Sequence, residues 1–233
     1  MCVWYARIDA LLPSRLARET DRWLTDKDRD RYGRFHGDED RQMFLVGRMM
    51  ARSLVGRVLD VDPHRWTWRE GSHGRPEIAS PDSDLHFNLA HSAGLVACAL
   101  ARGREVGVDV EDLRRRPVDR AVVERYCAPE EIADIGSHGP DWHDRFLRYW
   151  TLKEAYLKAR GLGISMPLAE ISFSLADAGA RVGFIGSLAG SDERWSFHME
   201  APTDRHILAV AASTRDGRQP PWQVAPLPPD FFS

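Results

Sequence analysis

The chain has 233 residues, 43% apolar and 29% charged, with a formal net charge of −3. That composition excludes a disordered chain and is ample for the core of one large domain or two small ones. It gives no bulk attraction to nucleic acid or to an anionic membrane, so any anion site must be local.

Residues 2–9 (CVWYARID) read as a strand, being rich in β-branched and aromatic residues. This N-terminal run has no basic segment followed by an apolar one, so no signal peptide is expected. Cys2, Cys98 and Cys127 show no CxxC spacing, which argues against a disulfide framework or structural zinc and fits a reducing, cytoplasmic setting. No apolar run reaches the ~18 residues that a membrane span needs. Residues 13–25 carry Leu16, Trp23 and Leu24 at helical spacing, and residues 26–34 (DKDRDRYGR) are dense in charge of both signs. Such a run is usually a solvated face, but it also holds the cations Lys27, Arg29, Arg31 and Arg34.

Over 38–60 the spacing predicts a long helix, with Phe44, Leu45, Met49, Leu54, Val55 and Val58 three and four residues apart. Asp38 is the candidate N-cap, and Pro63 closes the region. Trp66-Thr67-Trp68 reads as a short strand and Gly74-Arg75-Pro76 as a turn. Leu85, Phe87 and Leu89 alternate as in a half-buried strand, Asn88 to Gly94 carries the break, and residues 95–101 are a buried strand.

The pattern then restarts. Residues 106–111 are strand-like, 118–135 helical with a break near Pro129, and 141–160 a long helix. Asp141 is its candidate N-cap and Gly161 its candidate C′ residue. Strand-like runs follow at 171–175, 181–186, 194–200 and 206–213, and the tail from Gln219 is proline-rich and expected to be extended on the surface or loose. The order of elements matches between the halves, and the run LVACALA (95–101) resembles ILAVAAS (207–213). The expected fold is α+β, with two similar, pseudo-twofold-related halves, each a small, mainly antiparallel sheet packed with a long helix. The expected boundaries are 1–103, 104–215 and a tail over 216–233.

Asp109 and Glu111 lie two apart on a strand, so they share a face about 6.6 Å apart along the chain. Val106, Val108 and Val110 then face the other way, and Gly107 permits close approach. Paired carboxylates of this kind suit a hard divalent cation such as magnesium; the alternative is a solvated acidic face. Lys153, Glu154 and Lys158 lie within one and a half turns of the 141–160 helix. Glu154 and Lys158 could be a plain i,i+4 surface pair, or a carboxylate enclosed among lysines and able to bind metal. His91 is a turn histidine of structural or functional use. Arg75, between Gly74 and Pro76, is a rigidly presented guanidinium suited to a phosphate or to solvent.

Together, Gly107-Val108-Asp109-Val110-Glu111 and Trp150-Thr151-Leu152-Lys153-Glu154-Ala155-Tyr156-Leu157-Lys158-Ala159 resemble the two-part signature of the Sfp-type 4′-phosphopantetheinyl transferases. Gly74-Arg75-Pro76, Asn88-Leu89-Ala90-His91-Ser92, Leu45-Val46-Gly47 and Arg52-Ser53-Leu54 are similar to that family too. The resemblance implies transfer of phosphopantetheine from coenzyme A (CoA) to a serine of an apo acyl or peptidyl carrier protein, leaving adenosine 3′,5′-bisphosphate. It implies Mg²⁺ bound by Asp109, Glu111 and Glu154. Glu154 would also accept the serine proton, directly or through water. Lys158 would neutralise or protonate the leaving phosphate, and Lys153 would hold Glu154 or the phosphates. His91 and Arg75 would contact CoA phosphates, and Arg31 the 3′-phosphate, with Arg34 and Lys27 beside it.

Three positions depart from the family's pattern: Ala90 stands where many members have Ser, Ala93 where Gly is common, and Asp28 in a stretch often more basic. Arg114, Arg115 and Arg116 would meet an acidic carrier. Two halves in one chain imply a monomer. The rival readings are a magnesium-dependent phosphohydrolase or nucleotidyl transferase and a degenerate protein that binds CoA or a carrier without turnover. The chain has no P-loop, and all three acids and both lysines are present.

Overall fold

The computed structural model describes residues 1–11, 19–71, 74–163, 166–176, 179–189, 194–214, 221–228 and 231–232. In chain order its strands are β1 (Cys2–Arg7), β2 (Thr67–Glu70), β3 (Pro76–Ser80), β4 (Leu85–Ser92), β5 (Leu95–Arg102), β6 (Val106–Asp112), β7 (Ile171–Ala176), β8 (Gly179–Phe184), β9 (Trp195–Glu200), β10 (His206–Ser213) and β11 (Gln223–Pro226). Its main helices are α1 (Asp26–Arg34), α2 (Asp38–Leu59), α3 (Arg120–Tyr126), α4 (Pro129–Ser137) and α5 (Trp142–Arg160). The fold is α+β. One sheet has the order β11-β1-β5-β4, another the order β6-β10-β9, and β2-β3 and β7-β8 are separate hairpins.

The apolar pattern dictates the layering. On one face of the first sheet, Val96, Cys98 and Leu100 of β5 meet Leu45, Met49 and Met50 of α2. From its other face Leu95, Ala97 and Ala99 meet Val106, Val108, Val110, Leu208 and Val210 of the second sheet. The far face of that sheet, through Ala209 and Ala211, packs on Leu152, Ala155, Tyr156 and Ala159 of α5. The layers therefore run α2, sheet, sheet, α5. Strands β5 and β10 are covered on both faces, which is why they are continuously apolar rather than alternating. Residues 103–105 carry the chain from β5 of the first sheet to β6 of the second. The edges of the two sheets meet where Asn88 Oδ1 accepts the Val108 backbone N–H at 3.0 Å.

That bond corrects the expected break at Asn88. Asn88 pairs with Ala99 inside the β4–β5 ladder and spends its side chain on the seam, so the strand continues to Ser92. The turn is Ala93-Gly94, both with positive φ (42° and 81°), as a two-residue hairpin turn of right-handed twist requires. Ala93 bears the steric cost of a left-handed conformation, roughly 1–2 kcal/mol. Ala93→Gly is expected to raise the melting temperature by ~2–4 °C; an unchanged or lower value in a thermal melt would count against this.

The mixed-charge run at 26–34 is a helix rather than a featureless solvated segment. Thr25 and Asp28 form a reciprocal capping box at its start, and Asp28, 6% exposed, pairs with Arg48 at 2.8 Å. Gly37, not Asp38, occupies the capping position of α2, and Asp141 flanks α5 without a side-chain cap bond. Gly161 ends α5 in the left-handed conformation, as expected. Of the helix expected over 13–25, residues 13–18 lie outside the described residues and 19–23 are helical. The proline-rich tail is extended and partly a strand, since β11 lies parallel to β1 with Cys2 opposite Gln223. No described helix is long and apolar enough to cross a membrane.

Candidate active site

Strand β6 divides its side chains by alternation. Val106, Val108 and Val110 enter the core between the sheets, while Gly107 and Asp109 lie opposite Ala211 and Ala209 on the α5 side. A Cβ on Gly107 would fall on the Ala155 carbonyl oxygen and the Ala159 nitrogen, and 2.9 Å from Ala159 Cα. The glycine thus lets α5 lie directly on the strand. One result is that Lys158 Nζ reaches Asp109 Oδ1 at 2.7 Å.

Glu154, one turn before Lys158, shares this enclosure. Desolvation, then the charge of Asp109, pushes its carboxyl up to about 7. Asp109 is pushed up to about 6, chiefly by burial, against the pull of Lys158. Glu111 raises both, and its own Oε2 lies 2.8 Å from Arg115 Nη1. Asp109 Oδ2 and Glu154 Oε1 are buried without a hydrogen-bond partner. Buried carboxylate oxygens left bare are costly, and a divalent cation is the group that would satisfy them. The donor set therefore fits magnesium, although no three acidic, imidazole or thiol groups among the described residues already converge as a finished cage. Lys158 on Asp109 and Arg115 on Glu111 hold two of the acids.

Lys153 is elsewhere. It is fully buried on the other side of α5, bonded to Glu131 (2.8 Å) and to the carbonyls of Leu168 (2.8 Å) and Ile171. The expectation that it grips phosphate or Glu154 is corrected: residue 153 points one position away from 154 around the helix and enters the core. Glu131 also accepts N–H groups of Ala128 and Phe173 at 2.8 Å each, so the pair ties α4, α5 and β7 together. Lys153→Met leaves Glu131 buried without its counter-charge and is expected to cost about 3–5 kcal/mol. In urea titrations the double variant Glu131→Gln/Lys153→Met should recover most of that loss; no recovery would mean the pair is not a unit.

His91 stands near the end of β4. Desolvation and the charges of Lys158 and Arg31 hold its imidazole below the ordinary value, against Asp40. It therefore feels both Lys158 of α5 and Arg31 of α1. Two adjoining cavities lie here, the smaller of them lined by His91. One of about 210 Å³ is lined by His91, Asn88, Phe44, Arg31, Arg48 and Trp68. The other, about 860 Å³, shares Arg31, Arg48 and Trp68 and adds Lys27, Arg34, Arg52 and Arg69. Six cations against Asp28, Asp30 and Glu70 make it an anion-attracting groove.

Arg48 was missed by the sequence reading, and Arg52 entered it only within Arg52-Ser53-Leu54, with no role assigned. Their i,i+4 placement within the mainly apolar run 43–56 of the helix was the available signal. Arg48 lies over Phe44 and Trp68, at 4.6 Å and 5.2 Å, and Arg52 over Trp68 at 4.7 Å. Asp28 does not oppose an anion in the groove so much as orient Arg48. Ala90 belongs to the core between the sheets. Arg75 reaches across from the β2–β3 turn and donates to the Ala159 carbonyl of α5, leaving its Nη2 buried without a partner. Arg114 and Arg115 are paired with Asp204 (2.7 Å) and Glu111 (2.8 Å), while Arg116 is exposed.

Residues 105–211 match the model of the 4′-phosphopantetheinyl transferase superfamily, and residues 16–102 match that of the 4′-phosphopantetheinyl transferase N-terminal region. A 4′-phosphopantetheinyl transferase of Bacillus subtilis is 32% identical over 168 residues, covering 70% of this chain and 73% of that protein. The transferase HetI of a Nostoc species is 34% identical over 186 residues, covering 78% and 76%. Sfp of Bacillus subtilis strain 168 is 30% identical over 159 residues, covering 67% and 69%. Among solved structures, a Chronobacterium ammoniagenes ACPS–CoA complex is 19% identical and aligns 48% of this chain with 96% of that one, at a TM-score of 0.39. Both the residues that meet on β6 and α5 and the groove beside His91 thus lie in a chain that belongs to the 4′-phosphopantetheinyl transferase superfamily.

Proposed function

We propose that Asp109, Glu111, Glu154, Lys158, His91 and the arginines of the groove form one active site for the family's reaction. The chain moves the 4′-phosphopantetheine arm of CoA to a serine of an apo carrier protein. A bond forms between the serine oxygen and the β-phosphorus, the bond to the bridging oxygen breaks, and adenosine 3′,5′-bisphosphate leaves. The observation that carries the site assignment is the pair of bare, buried oxygens on Asp109 and Glu154 beside Lys158.

Asp109, Glu111 and Glu154 would hold Mg²⁺, which when bound neutralises pyrophosphate charge and polarises the attacked phosphorus. Glu154 takes the serine proton, directly or through water; a carboxyl raised toward neutrality is suited to that exchange. Lys158 supplies a cation to the leaving phosphate. Arg75 uses its spare Nη2 on a phosphate oxygen. His91 donates to a phosphate from the β4 side. Arg31, with Arg34, Lys27 and Arg48, holds the 3′-phosphate end in the groove. In this reading residues 1–103 bind the nucleotide end and 104–215 bind metal and carry the proton transfer. One chain supplies both sides of the cleft, which supports a monomer, and the free thiols of Cys98 and Cys127 support a cytoplasmic setting.

The test is incubation with CoA, Mg²⁺ and a panel of apo carrier proteins, reading intact carrier mass. A gain of one phosphopantetheine that disappears with EDTA is expected. CoA binding without any gain would instead assign a binding protein.

Proton competition gives a second expectation. Folded Asp109 and Glu154 hold protons more tightly than the unfolded chain does, at about 6 and about 7 against ~4 unfolded. Their contribution to metal-free stability is full below pH ~4 and is lost as pH rises through ~7. Mg²⁺ needs them ionised. The Mg²⁺-induced rise in melting temperature should therefore be small at pH ~5.5 and grow toward pH ~8. A rise independent of pH would count against these two residues as ligands.

A further inference from the structure

A cavity of about 670 Å³ lies on the first sheet, at the opposite end of β4 from His91. Leu85, which lines it, opens β4, and His91 follows six residues later, ~20 Å along an extended chain. Strand alternation supplies its floor. Cys2 and Trp4 share one face of β1, and Leu100 of β5 stands opposite Cys2 on that face. Leu54 and Val58, one turn apart on α2, form a second wall. The proline-rich tail forms a third, through Pro228 and Phe231. The tail is fixed on both sides of these residues. The Leu227 N–H donates to the Tyr5 carbonyl at 2.7 Å, and Phe232 is buried edge-on to Trp23.

The charges around this apolar hollow are of one sign. Arg57, Arg102 and Arg104 line it, and no described acid does. Arg102 is paired at 3.0 Å with Asp84, which is not part of the lining. Arg57 is exposed and has no acid partner among the described residues. It lies 4.0 Å over the Phe231 ring, and its Nη2 donates to the Phe231 carbonyl at 3.3 Å. A guanidinium carries five N–H donors, so Arg57 has donors to spare. Beside it Val58 is 42% exposed, a large apolar side chain left in water.

An apolar hollow with cations at its rim fits an amphipathic anion. An alkyl chain takes the apolar walls out of water, and the head group pairs with a guanidinium. A sugar or nucleotide would leave polar groups unsatisfied against Trp4, Leu54 and Leu100. A flat membrane surface would reach apolar groups that protrude, whereas these line a concavity. We propose that this cavity binds a single-chain fatty carboxylate, with its chain between α2 and the β1–β5 floor and its carboxylate on Arg57. The site is separate from the active site proposed above and does not depend on that reading. It gives the proline-rich tail a task, as one wall of a binding site.

The test is calorimetry of the full chain with dissolved hexanoate, octanoate and decanoate. Affinity should rise along the series, by up to about fourfold for each methylene buried. Decanol, which has the chain without the charge, should bind at least fivefold more weakly than decanoate. Arg57→Gln should remove that margin, weakening decanoate at least fivefold and decanol less than twofold, and Arg57→Lys should restore most of it. Val58→Glu, which sets an acid at the mouth, should weaken decanoate at least tenfold. Both positions are exposed, so these variants should fold. A second readout is Cys2, half-buried on the cavity floor, whereas Cys98 and Cys127 are buried. Decanoate should slow the reaction of Cys2 with a maleimide. Saturating CoA should leave the affinity for decanoate within twofold. No binding by the folded chain overturns the proposal, as does an affinity independent of chain length. An equal loss of decanoate and decanol in Arg57→Gln overturns it too, since the carboxylate is then not read. Competition with CoA would place the chain in the active site instead. Binding to anionic phospholipid vesicles but not to dissolved decanoate would make this face a membrane contact, and so would also overturn it.

Discussion

Replacing Glu154 with Gln is expected to lower kcat at least ~1,000-fold while the protein stays folded and binds CoA. The substitution keeps the shape of the side chain and removes one charge. In the proposed reading it also removes a metal ligand and the acceptor of the serine proton, and removal of a positioned general base alone typically costs 10²–10⁴ in rate. The fold should not suffer. Glu154 is half-enclosed, its Oε1 has no partner, and Asp109 and Glu111 both disfavour its ionisation. A neutral amide relieves that repulsion, so the metal-free melting temperature at pH ~8 should hold or rise, while the Mg²⁺-induced increment shrinks. Intact-mass assays of the carrier, with calorimetry of CoA and melts with and without Mg²⁺, read all three. Transfer within tenfold of wild type would remove Glu154 from the chemistry.

Gly107→Ala is expected to disable the enzyme from a position that touches no substrate. The added methyl would overlap the Ala155 carbonyl and the Ala159 nitrogen of α5. Those atoms are backbone, so no side chain can swing aside, and the helix must lift from the strand. Overpacking of this kind typically costs ~1–3 kcal/mol. The functional loss should be larger than the stability loss implies. Lys158 reaches Asp109 at 2.7 Å only because α5 lies on β6 at this residue, and a shift of ~1 Å in a catalytic array can cost ~100-fold. A lowered urea midpoint with kcat down ~100-fold or more, measured where the variant is fully folded, is the expected pairing. Wild-type kcat in that variant would show that the contact sets stability alone.

Local chemistry made much of this legible from the sequence. The 3.6-residue spacing from Phe44 to Val58, the stop at Gly161 and the break near Pro129 are local properties, and those helices lie close to the expected places. So is the alternation that sets Val108 and Val110 against Asp109. The motif around Glu154 and Lys158 pointed to the family because, with Gly107 to Glu111, it resembles the family's two-part signature. What depends on packing was not legible. Lys153 sits between Glu154 and Leu152 in sequence, and only the course of α5 over β6 decides that it enters the core to meet Glu131 while Glu154 meets Asp109. Asn88 looks like a turn residue until β6 lies beside it and its Oδ1 takes the Val108 N–H. Arg48 and Arg52 become groove cations only when α1 and Trp68 close around them. Composition and spacing thus determined the elements and the paired acids, and the resemblance of the two motifs pointed to the family. The burial of each charge, and so which lysine meets Asp109 and which enters the core, was decided by the tertiary structure, because desolvation and pairing depend on neighbours distant in the chain.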